Sequence, residues 1–273
     1  MNWTNLFRNI IWIMGGGDLG SGVAIRLIRA GFPVVISELP EPMAVRRTVS
    51  FSEAIYDGST SVEDITAVKI CDIKGINEAL SNNLVPVLVD PDMKSCCQFK
   101  PDILVDARMT KLPPKWTHPA APFVIGLGPG FDAGKNCHAV VETNRGHFLG
   151  RVYWNGTAQP DTGVPGKVHQ MDTNRVLRSP ASGLLSTTIN IGDWVDANQV
   201  VARVNGLDMV APFSGMIRGI LRPNTQVDRG VKVGDMDTRN DPRLWTLVSE
   251  KSLAIGGGVL EAILAYQKQE TCL

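Results

Sequence analysis

A glycine-rich turn near the start of the chain is the clearest candidate for binding chemistry. It follows the apolar segment Ile10 to Met14, and its residues are Gly15, Gly16, Gly17, Asp18, Leu19 and Gly20. A turn that holds a diphosphate needs glycine where the chain bends, where the phosphate approaches the backbone, and where the following helix packs closely. Gly15, Gly17 and Gly20 supply these three positions. The free amides at the start of the helix would then face the phosphates.

Glu38 supports the same interpretation of the turn. It stands 18 residues after Gly20, at the end of the second apolar run, where a carboxylate can bind a ribose 2′-hydroxyl. The charge of Asp18 would lie near the phosphates, so this residue could instead cap the helix. The pattern predicts binding of a nucleotide or dinucleotide, and the alternative is a scaffold of the same fold that has lost its ligand.

Two arginines and a second glycine cluster could extend the predicted pocket. Arg46 and Arg47 follow the second apolar run, and their guanidinium groups could bind a phosphate, including the 2′-phosphate of NADP. A solvated pair of surface charges is the equal alternative. Gly128 and Gly130 follow a later strand and are predicted to form a wall of the pocket. Because Pro129 between them has no amide to offer an anion, a tight structural turn is the alternative.

The densest group of polar residues lies between Cys137 and His147. In a strand, His138 and Glu142 would project from one face, and Arg145 and His147 would follow in the next turn. A histidine with a carboxylate can act as a general acid–base pair, so we predict a catalytic or substrate-binding role for these four residues. A metal site that also uses Cys137 is one alternative, and a hydrogen-bonded structural turn is the other.

The elements that must position these residues alternate along the first half of the chain. Short apolar runs separated by helical stretches predict a parallel sheet covered by helices. The expected strands are Ile10 to Met14, Pro33 to Ser37, Ala67 to Ile70, Val85 to Val89, Ile103 to Asp106, Phe123 to Gly126 and the strand-like run Ala139 to Val141. A helix is predicted over Ser21 to Ala30, and Gly31 is placed to end it.

An internal duplication marks the second half of the chain. Residues 32 apart match as Pro180 and Pro212, Ser182 and Ser214, Gly183 and Gly215, Val195 and Val227, Asp196 and Asp228, and Val201 and Val233. The two copies meet at Asn205-Gly206, which suits a tight hairpin. The arrangement resembles the barrel-sandwich hybrid of biotinyl and lipoyl carriers. No lysine lies between Lys167 and Lys232, so the resemblance implies that scaffold without its modified lysine.

The predicted fold class is therefore α/β with two domains. Residues 1–166 form a Rossmann-like parallel-sheet domain with an ordered connection. Residues 167–250 form a small all-β domain like a barrel-sandwich hybrid, and residues 251–273 carry a helix, predicted over Ser252 to Gln267, that returns to the first domain.

Composition excludes several classes of function. Lysine plus arginine and aspartate plus glutamate each number 27, so no net charge would attract nucleic acid or an acidic membrane. No apolar run has the length of a signal core or a membrane span. The five cysteines, Cys71, Cys96, Cys97, Cys137 and Cys272, lack C-x-x-C spacing, which favours reduced thiols in a cytoplasmic protein.

Longer stretches of sequence resemble a known family. They are Gly16 to Leu19, Ser37 to Pro40, Ala44 to Phe51, Val124 to Phe131, Cys137 to Thr143, Arg145 to His147 and Leu253 to Glu261. The chain resembles, from about residue 10 to 265, the YqeB-like accessory proteins of selenium-dependent molybdenum hydroxylase systems. The resemblance implies a bacterial cytoplasmic protein that assists maturation of a molybdenum hydroxylase such as a xanthine dehydrogenase or purine hydroxylase.

Three functional hypotheses follow. The first is a maturation factor whose glycine turn and Glu38 bind a nucleotide-bearing ligand, either molybdopterin dinucleotide or NAD(P). In it, His138 to His147 face the reactive end, and the β domain covers the site or docks the hydroxylase. The second is an NAD(P)-dependent oxidoreductase, and the third is a non-catalytic scaffold that recruits the hydroxylase. The oligomeric state stays open, with a homodimer as one alternative.

Overall fold

A computed structural model describes residues 10–114, 121–161 and 175–271 of the chain. In the first two ranges the strands are β1 (Ile11–Met14), β2 (Val34–Glu38), β3 (Ser59–Val62), β4 (Ile65–Lys69), β5 (Val85–Val89), β6 (Ile103–Asp106), β7 (Phe123–Leu127), β8 (Asp132–Ala133), β9 (Ala139–Val141), β10 (Val152–Tyr153) and β11 (Gly156–Thr157). The helices there are α1 (Asp18–Arg29), α2 (Ala54–Asp57), α3 (Ile76–Ser81) and α4 (Lys94–Phe99), with 3₁₀ turns at Arg47–Val49, Phe51–Glu53 and Ile73–Gly75. Strands β8 and β11 form a separate pair.

Nine of these strands form one sheet in the order β10-β9-β7-β6-β1-β2-β5-β4-β3. The ladders from β9 across to β4 are parallel. Met14 lies opposite Ser37 on one side and Asp106 on the other. The carboxyl ends of β1, β2 and β6 therefore meet at one edge of the sheet, and the glycine turn leaves β1 at that edge.

The central strands are buried on both faces. In β1, Ile11 and Ile13 pack into the core on one side of the sheet, and Trp12 and Met14 pack into a second core on the other side. Successive strand residues point to opposite faces, so a strand covered on both sides must be apolar throughout. This requirement explains why these segments are continuous apolar runs in the sequence.

The last helix, α6 (Glu250–Thr271), returns from the end of the chain and packs against α1. Glycines make the crossing close: a Cβ at Gly22 would overlap the Ser252 side chain, and one at Gly256 would lie 2.9 Å from the Arg26 Cβ. The N-terminus of α6 is thereby held beside the N-terminus of α1. Within the described ranges, neither α6 nor any other helix has the length and apolarity to cross a bilayer.

The β region, residues 175–237, consists of antiparallel strands. They are β12 (Val176–Arg178), β13 (Gly183–Ser186), β14 (Trp194–Val195), β15 (Val200–Val204), β16 (Leu207–Val210), β17 (Gly215–Ile220), β18 (Gln226–Val227) and β19 (Lys232–Asp237), and the short helix α5 (Arg243–Thr246) follows. The sheet orders are β12-β19-β17-β14 and β16-β15-β13-β18. The sequence repeat is visible here, since Gly183 begins β13 and its counterpart Gly215 begins β17.

The fold class predicted from the sequence is wrong in two respects. The large sheet is mixed rather than parallel, because a hairpin at Glu63 and Asp64 places β3 antiparallel to β4, and β10 runs antiparallel to β9. In the described residues the β region forms two separate four-stranded antiparallel sheets, and not the small closed β structure expected from two interlocking copies. The chain is therefore a mixed α/β sheet joined to an antiparallel β region, and the predicted Rossmann-like parallel sheet and barrel-sandwich hybrid are wrong.

One predicted element agrees with an observed helix, and one predicted domain boundary lies outside the described residues. The predicted closing helix, Ser252 to Gln267, lies within α6. The predicted start of the β domain at residue 167 lies outside the described residues, as does Cys272.

Candidate functional site

A cleft of about 930 Å³ opens at the carboxyl edge of the large sheet. One wall is formed by residues that directly follow strands, among them Gly15 after β1, Asp90 after β5 and Ala107 after β6. The opposite wall comes from the β region and from the start of α6. Connections that leave the carboxyl ends of parallel strands in different directions open a crevice between them, which is where open α/β sheets bind ligands.

The glycine turn, residues 15–20, forms part of the first wall. Gly15 has a φ of +95°, which favours glycine, and its amide donates to the Ser37 carbonyl at 2.8 Å. A Cβ at Gly20 would overlap the Gly15 carbonyl oxygen, so α1 can approach β1 only with glycine there. Gly17 differs from both, because a Cβ at Gly17 would meet no atom within 4 Å. The backbone of Gly17 therefore faces open space in the cleft.

The Glu38 carboxylate lies against the glycine turn. One oxygen accepts a hydrogen bond from the Gly16 amide at 2.7 Å, and the other accepts from the Leu39 amide at 2.7 Å. Burial raises the pKa of Glu38, and the two backbone hydrogen bonds oppose that shift. The predicted partner of a ribose is thus placed beside the turn, with lone pairs left over for a ligand hydroxyl.

Asp18, the first residue of α1, is paired within the protein. Its carboxylate accepts from the Arg46 guanidinium at 3.0 and 3.1 Å and from the Ser252 hydroxyl at 2.8 Å. Arg46 is 5 % exposed and also donates to the Leu244 and Leu247 carbonyls. The charge of Asp18 is therefore balanced, and it does not oppose an anion at the glycine turn. Arg46 lines the cleft, but its two terminal nitrogens donate to protein acceptors, and its buried Nε has no hydrogen-bond partner among the described residues.

Arg47, Gly128 and Gly130 do not line the cleft. The Arg47 Nε donates to the Ile220 carbonyl at 2.9 Å, which joins the first 3₁₀ turn to β17. A Cβ at Gly130 would lie 2.6 Å from the Leu112 carbonyl oxygen. The two glycines are placed as in the structural-turn alternative, whereas Arg47 is neither a cleft residue nor a fully solvated surface charge. Only Pro129 of the second glycine cluster reaches the cleft wall.

Of the four residues predicted as a catalytic group, only Arg145 lines the cleft. Glu142 is fully buried, and its carboxylate accepts from the amides of Thr143, Asn144 and Gln159 at 2.8, 2.7 and 2.8 Å. The structure thus makes Glu142 the centre of a hydrogen-bonded loop.

The two histidines lie elsewhere. The Nδ1 atom of His138 accepts from the Val124 amide at 2.9 Å, its ring contacts Phe123, and burial lowers its pKa. His147 packs edge-on against Phe148. Within the residues that the structure describes, no three His, Cys, Asp or Glu side chains are grouped to hold a metal, so the metal alternative has no geometric support.

Basic residues of the second wall were missed by the sequence analysis. They are Arg175, Arg178, Arg218, Lys232 and Lys251. The first four belong to the β region, and Lys251 lies in the first turn of α6. Nothing in their spacing indicates that they face the glycine turn, which more than 150 residues separate from them along the chain.

The fold and the cleft define a class of protein, a mixed α/β protein with a basic ligand cleft between its sheet and a β region. No protein-family model matches the chain. The chain is 42 % identical over 262 residues, 96 % of its length, to the Escherichia coli (strain K12) protein named "Uncharacterized protein YqeB", and spans 48 % of that relative. The chain belongs to the YqeB-like family, which confirms that part of the resemblance, and it spans about half the length of the curated relative.

Solved structures offer only remote similarity. An aspartoacylase family protein from Mesorhizobium loti aligns over 84 % of both chains, with 12 % identity and a TM-score of 0.27. A succinylglutamate desuccinylase/aspartoacylase from Rhodobacter sphaeroides aligns over 85 % of this chain and 86 % of its own, with 16 % identity and a TM-score of 0.28. TM-scores this low carry no argument about fold or chemistry.

Proposed function

We propose that this protein binds a nucleotide-bearing ligand in the cleft and acts as an accessory protein in the maturation of a selenium-dependent molybdenum hydroxylase. The ligand classes are molybdopterin dinucleotide and NAD(P). The proposal has a binding part, supported by geometry, and a pathway part, supported by the family resemblance.

The surroundings of Gly17 are the main support for the binding part of the proposal. This glycine is the residue before α1, it supplies no side-chain cap to the helix, and the space in front of it is open. The first amides of a helix lack partners within the helix and carry partial positive charge, so they favour a phosphate placed there. Glu38 on the adjacent wall offers acceptors to a sugar hydroxyl.

The size of the cleft supports a ligand as large as a dinucleotide. Its volume of about 930 Å³ lies near the upper end of ordinary ligand pockets, which span roughly 300 to 1,000 Å³. His138, Glu142 and His147 lie outside it, so the acid–base group that was expected to face the reactive end of the ligand is not assembled at this site. This placement favours a binding role over catalysis by those residues.

Replacing Gly17 by leucine tests the binding part. The side chain would fill the space where a phosphate approaches, while the φ of −70° at this position accepts any residue. Isothermal titration with NAD⁺, NADP⁺ and ADP should show binding to the wild type and at least a tenfold loss in Gly17→Leu. Gly257→Leu is the matched control, because Gly257 on α6 also has no atom near its Cβ position, and it should bind within twofold of wild type.

Two results would refute the proposal. One is unchanged affinity in a folded Gly17→Leu variant. The other is a wild-type protein that binds none of the three nucleotides and that, purified from its own host, shows no retained nucleotide or pterin by native mass spectrometry. The pathway part is tested separately: hydroxylase activity in the host should fall in Gly17→Leu and persist in Gly257→Leu.

A further inference from the structure

The two walls of the cleft differ in how their charges are balanced. On the sheet side, each cation has an acidic partner close by. Arg108 donates to Asp106 at 2.6 Å, and Lys111 donates to Asp161 at 2.8 Å. Arg46 is paired in the same way, as described above. Glu38 and Asp90 also line this wall and accept only from backbone amides, so the sheet side carries no excess of positive charge.

The β-region wall carries an excess of positive charge. The buried carboxylate of Asp235 lies near three cations. It is paired with Arg175, and one guanidinium nitrogen of Arg218 and the Nζ atom of Lys232 each lie 3.7 Å from one of its oxygens. One carboxylate can balance only one of these charges. Asp235 alone therefore does not balance the cations that surround it.

Lys251, at the start of α6 on the same wall, adds to the excess. No hydrogen-bond or ion-pair partner of its ammonium group is found in the described part of the chain, and its neighbour Arg145 is already paired with Glu250. Burial, reinforced by the charge of Arg145, lowers the pKa of Lys251. Burial likewise lowers the pKa of Lys232, with the charges of Arg175 and Arg218 acting in the same direction against Asp235. An anion placed beside these lysines would raise both pKa values toward the usual lysine range.

Arg218 is held in place at the base of this group. It is 7 % exposed, and its Nε donates to the Leu244 carbonyl at 3.0 Å. A buried guanidinium fixed by the protein can bind an oxyanion without first being ordered. Excess charge at a partly buried site is costly to the folded protein unless a ligand of opposite charge occupies it.

We propose that Arg218, Lys232 and Lys251, the cation cluster, bind a second phosphate group of the ligand, separate from the phosphates at the glycine turn. The inference deepens the proposed function and rests on it for the nucleotide end of the ligand. The ligand class is then a nucleotide that carries an additional phosphomonoester. A phosphate dianion would supply negative charge to these three cations.

Inorganic phosphate is the probe that isolates the cluster from the rest of the ligand. Titration at low ionic strength should show that Lys251→Met and Lys232→Met weaken phosphate binding at least tenfold. Lys268→Met, an exposed lysine on the same helix α6, should bind phosphate within twofold of wild type. Because no partner of the Lys251 ammonium group is found among the described residues, Lys251→Met should fold and should show an equal or higher Tm than wild type in phosphate-free buffer.

The Gly17→Leu variant separates this inference from the proposed function. It should retain phosphate affinity within about threefold while it loses nucleotide binding. Phosphate binding that is unaffected by Lys251→Met, or that is lost equally in Gly17→Leu, would overturn a separate subsite. If phosphate binds through the cluster but no nucleotide binds the wild type, the subsite stands and the proposed function fails.

Discussion

Glycines of the same turn have different physical roles at the scale of single residues. Gly20 is required by packing, since its missing side chain makes room for the carbonyl oxygen of Gly15. Gly17 is not required by packing or by backbone conformation, since its φ is −70° and its Cβ position is open. A glycine that the fold itself does not need is the more informative one about a ligand.

Alanine substitutions should separate these roles. Gly20→Ala is expected to lower the free energy of unfolding by about 1 to 3 kcal/mol, because the methyl group must displace backbone that is already packed. Gly17→Ala should change it by less than about 0.5 kcal/mol, as surface substitutions usually do. Urea denaturation followed by circular dichroism measures both. Equal losses in the two variants would show that Gly17 has a packing role after all.

The cysteines should differ in reactivity for a related reason. Cys96 and Cys137 are buried, and burial raises the pKa of each thiol to about 12. Cys71 and Cys97 are exposed. Since the thiolate is the reactive form, iodoacetamide at pH 8 should modify Cys71 and Cys97 within minutes and leave Cys96 and Cys137 unmodified until the protein unfolds. Peptide mass spectrometry reads each site, and early labelling of Cys137 would contradict the buried placement.

At the scale of elements, the segment after β9 shows how one side chain can organise a loop. Glu142 bonds the amides that begin the loop and also the Gln159 amide, which returns beyond β11. Arg145 projects from this loop into the cleft. The position of Arg145 therefore depends on Glu142, although Glu142 itself does not reach the cleft.

Glu142→Ala should accordingly destabilise the protein. It leaves backbone amides without an acceptor in a buried setting, each at a cost of about 1 to 3 kcal/mol, so a total loss of about 3 kcal/mol is expected. His147→Ala, an exposed position in the same loop, should cost less than about 0.5 kcal/mol. Thermal and urea denaturation give both values. A Glu142→Ala variant with wild-type stability would show that this carboxylate does not organise the loop.

At the scale of the whole molecule, the β region is joined to the sheet by a charged and closely packed junction. Arg222 donates to Glu53 at 2.7 Å, pairs with Asp57, and lies over the Tyr56 ring at 4.6 Å from its centre. A Cβ at Gly219 would lie 2.7 Å from the carbonyl oxygen of Val45. These contacts hold the basic wall at a set distance from the glycine turn.

Arg222→Met should weaken the junction in a pH-dependent way. Burial raises the pKa of Glu53, and Arg222 opposes the shift, so its removal should raise that pKa further. A carboxyl group whose folded pKa is raised favours the folded state when protonated and loses that advantage as the pH rises through the folded pKa. The variant should therefore be less stable than wild type by about 2 kcal/mol at pH 7, and the deficit should shrink as the pH falls toward the ordinary glutamate range.

Differential scanning calorimetry across that pH range provides the measurement. Glu53→Gln/Arg222→Met is the control, because it has no carboxyl group at position 53 and should lose this part of the pH dependence. A deficit in Arg222→Met that stays constant from pH 7 to pH 4 would show that Glu53 does not carry the effect.

Local sequence patterns determined the elements that build the centre of the molecule. Apolar runs predicted β1, β2, β5, β6 and β7, and Gly31 predicted the end of α1, because burial on both faces and backbone conformation depend on neighbouring residues. Helix α1 begins at Asp18, three residues before its predicted start at Ser21. The edge strand β3 was not predicted, because an edge strand is not buried on both faces. Strand β3 is largely exposed and polar, so nothing in its composition distinguishes it from a loop.

Only the tertiary structure decided how the site is assembled. The glycine turn and Glu38 belong to one β-α-β unit, and their proximity follows from parallel pairing, which the sequence alone could predict. The cation cluster reaches the same cleft because α6 returns to α1 and the β region packs on the sheet, contacts between segments far apart in the chain. Periodicity and composition record which residues are buried, but not which distant surfaces meet, so the charge of the second wall could not be predicted.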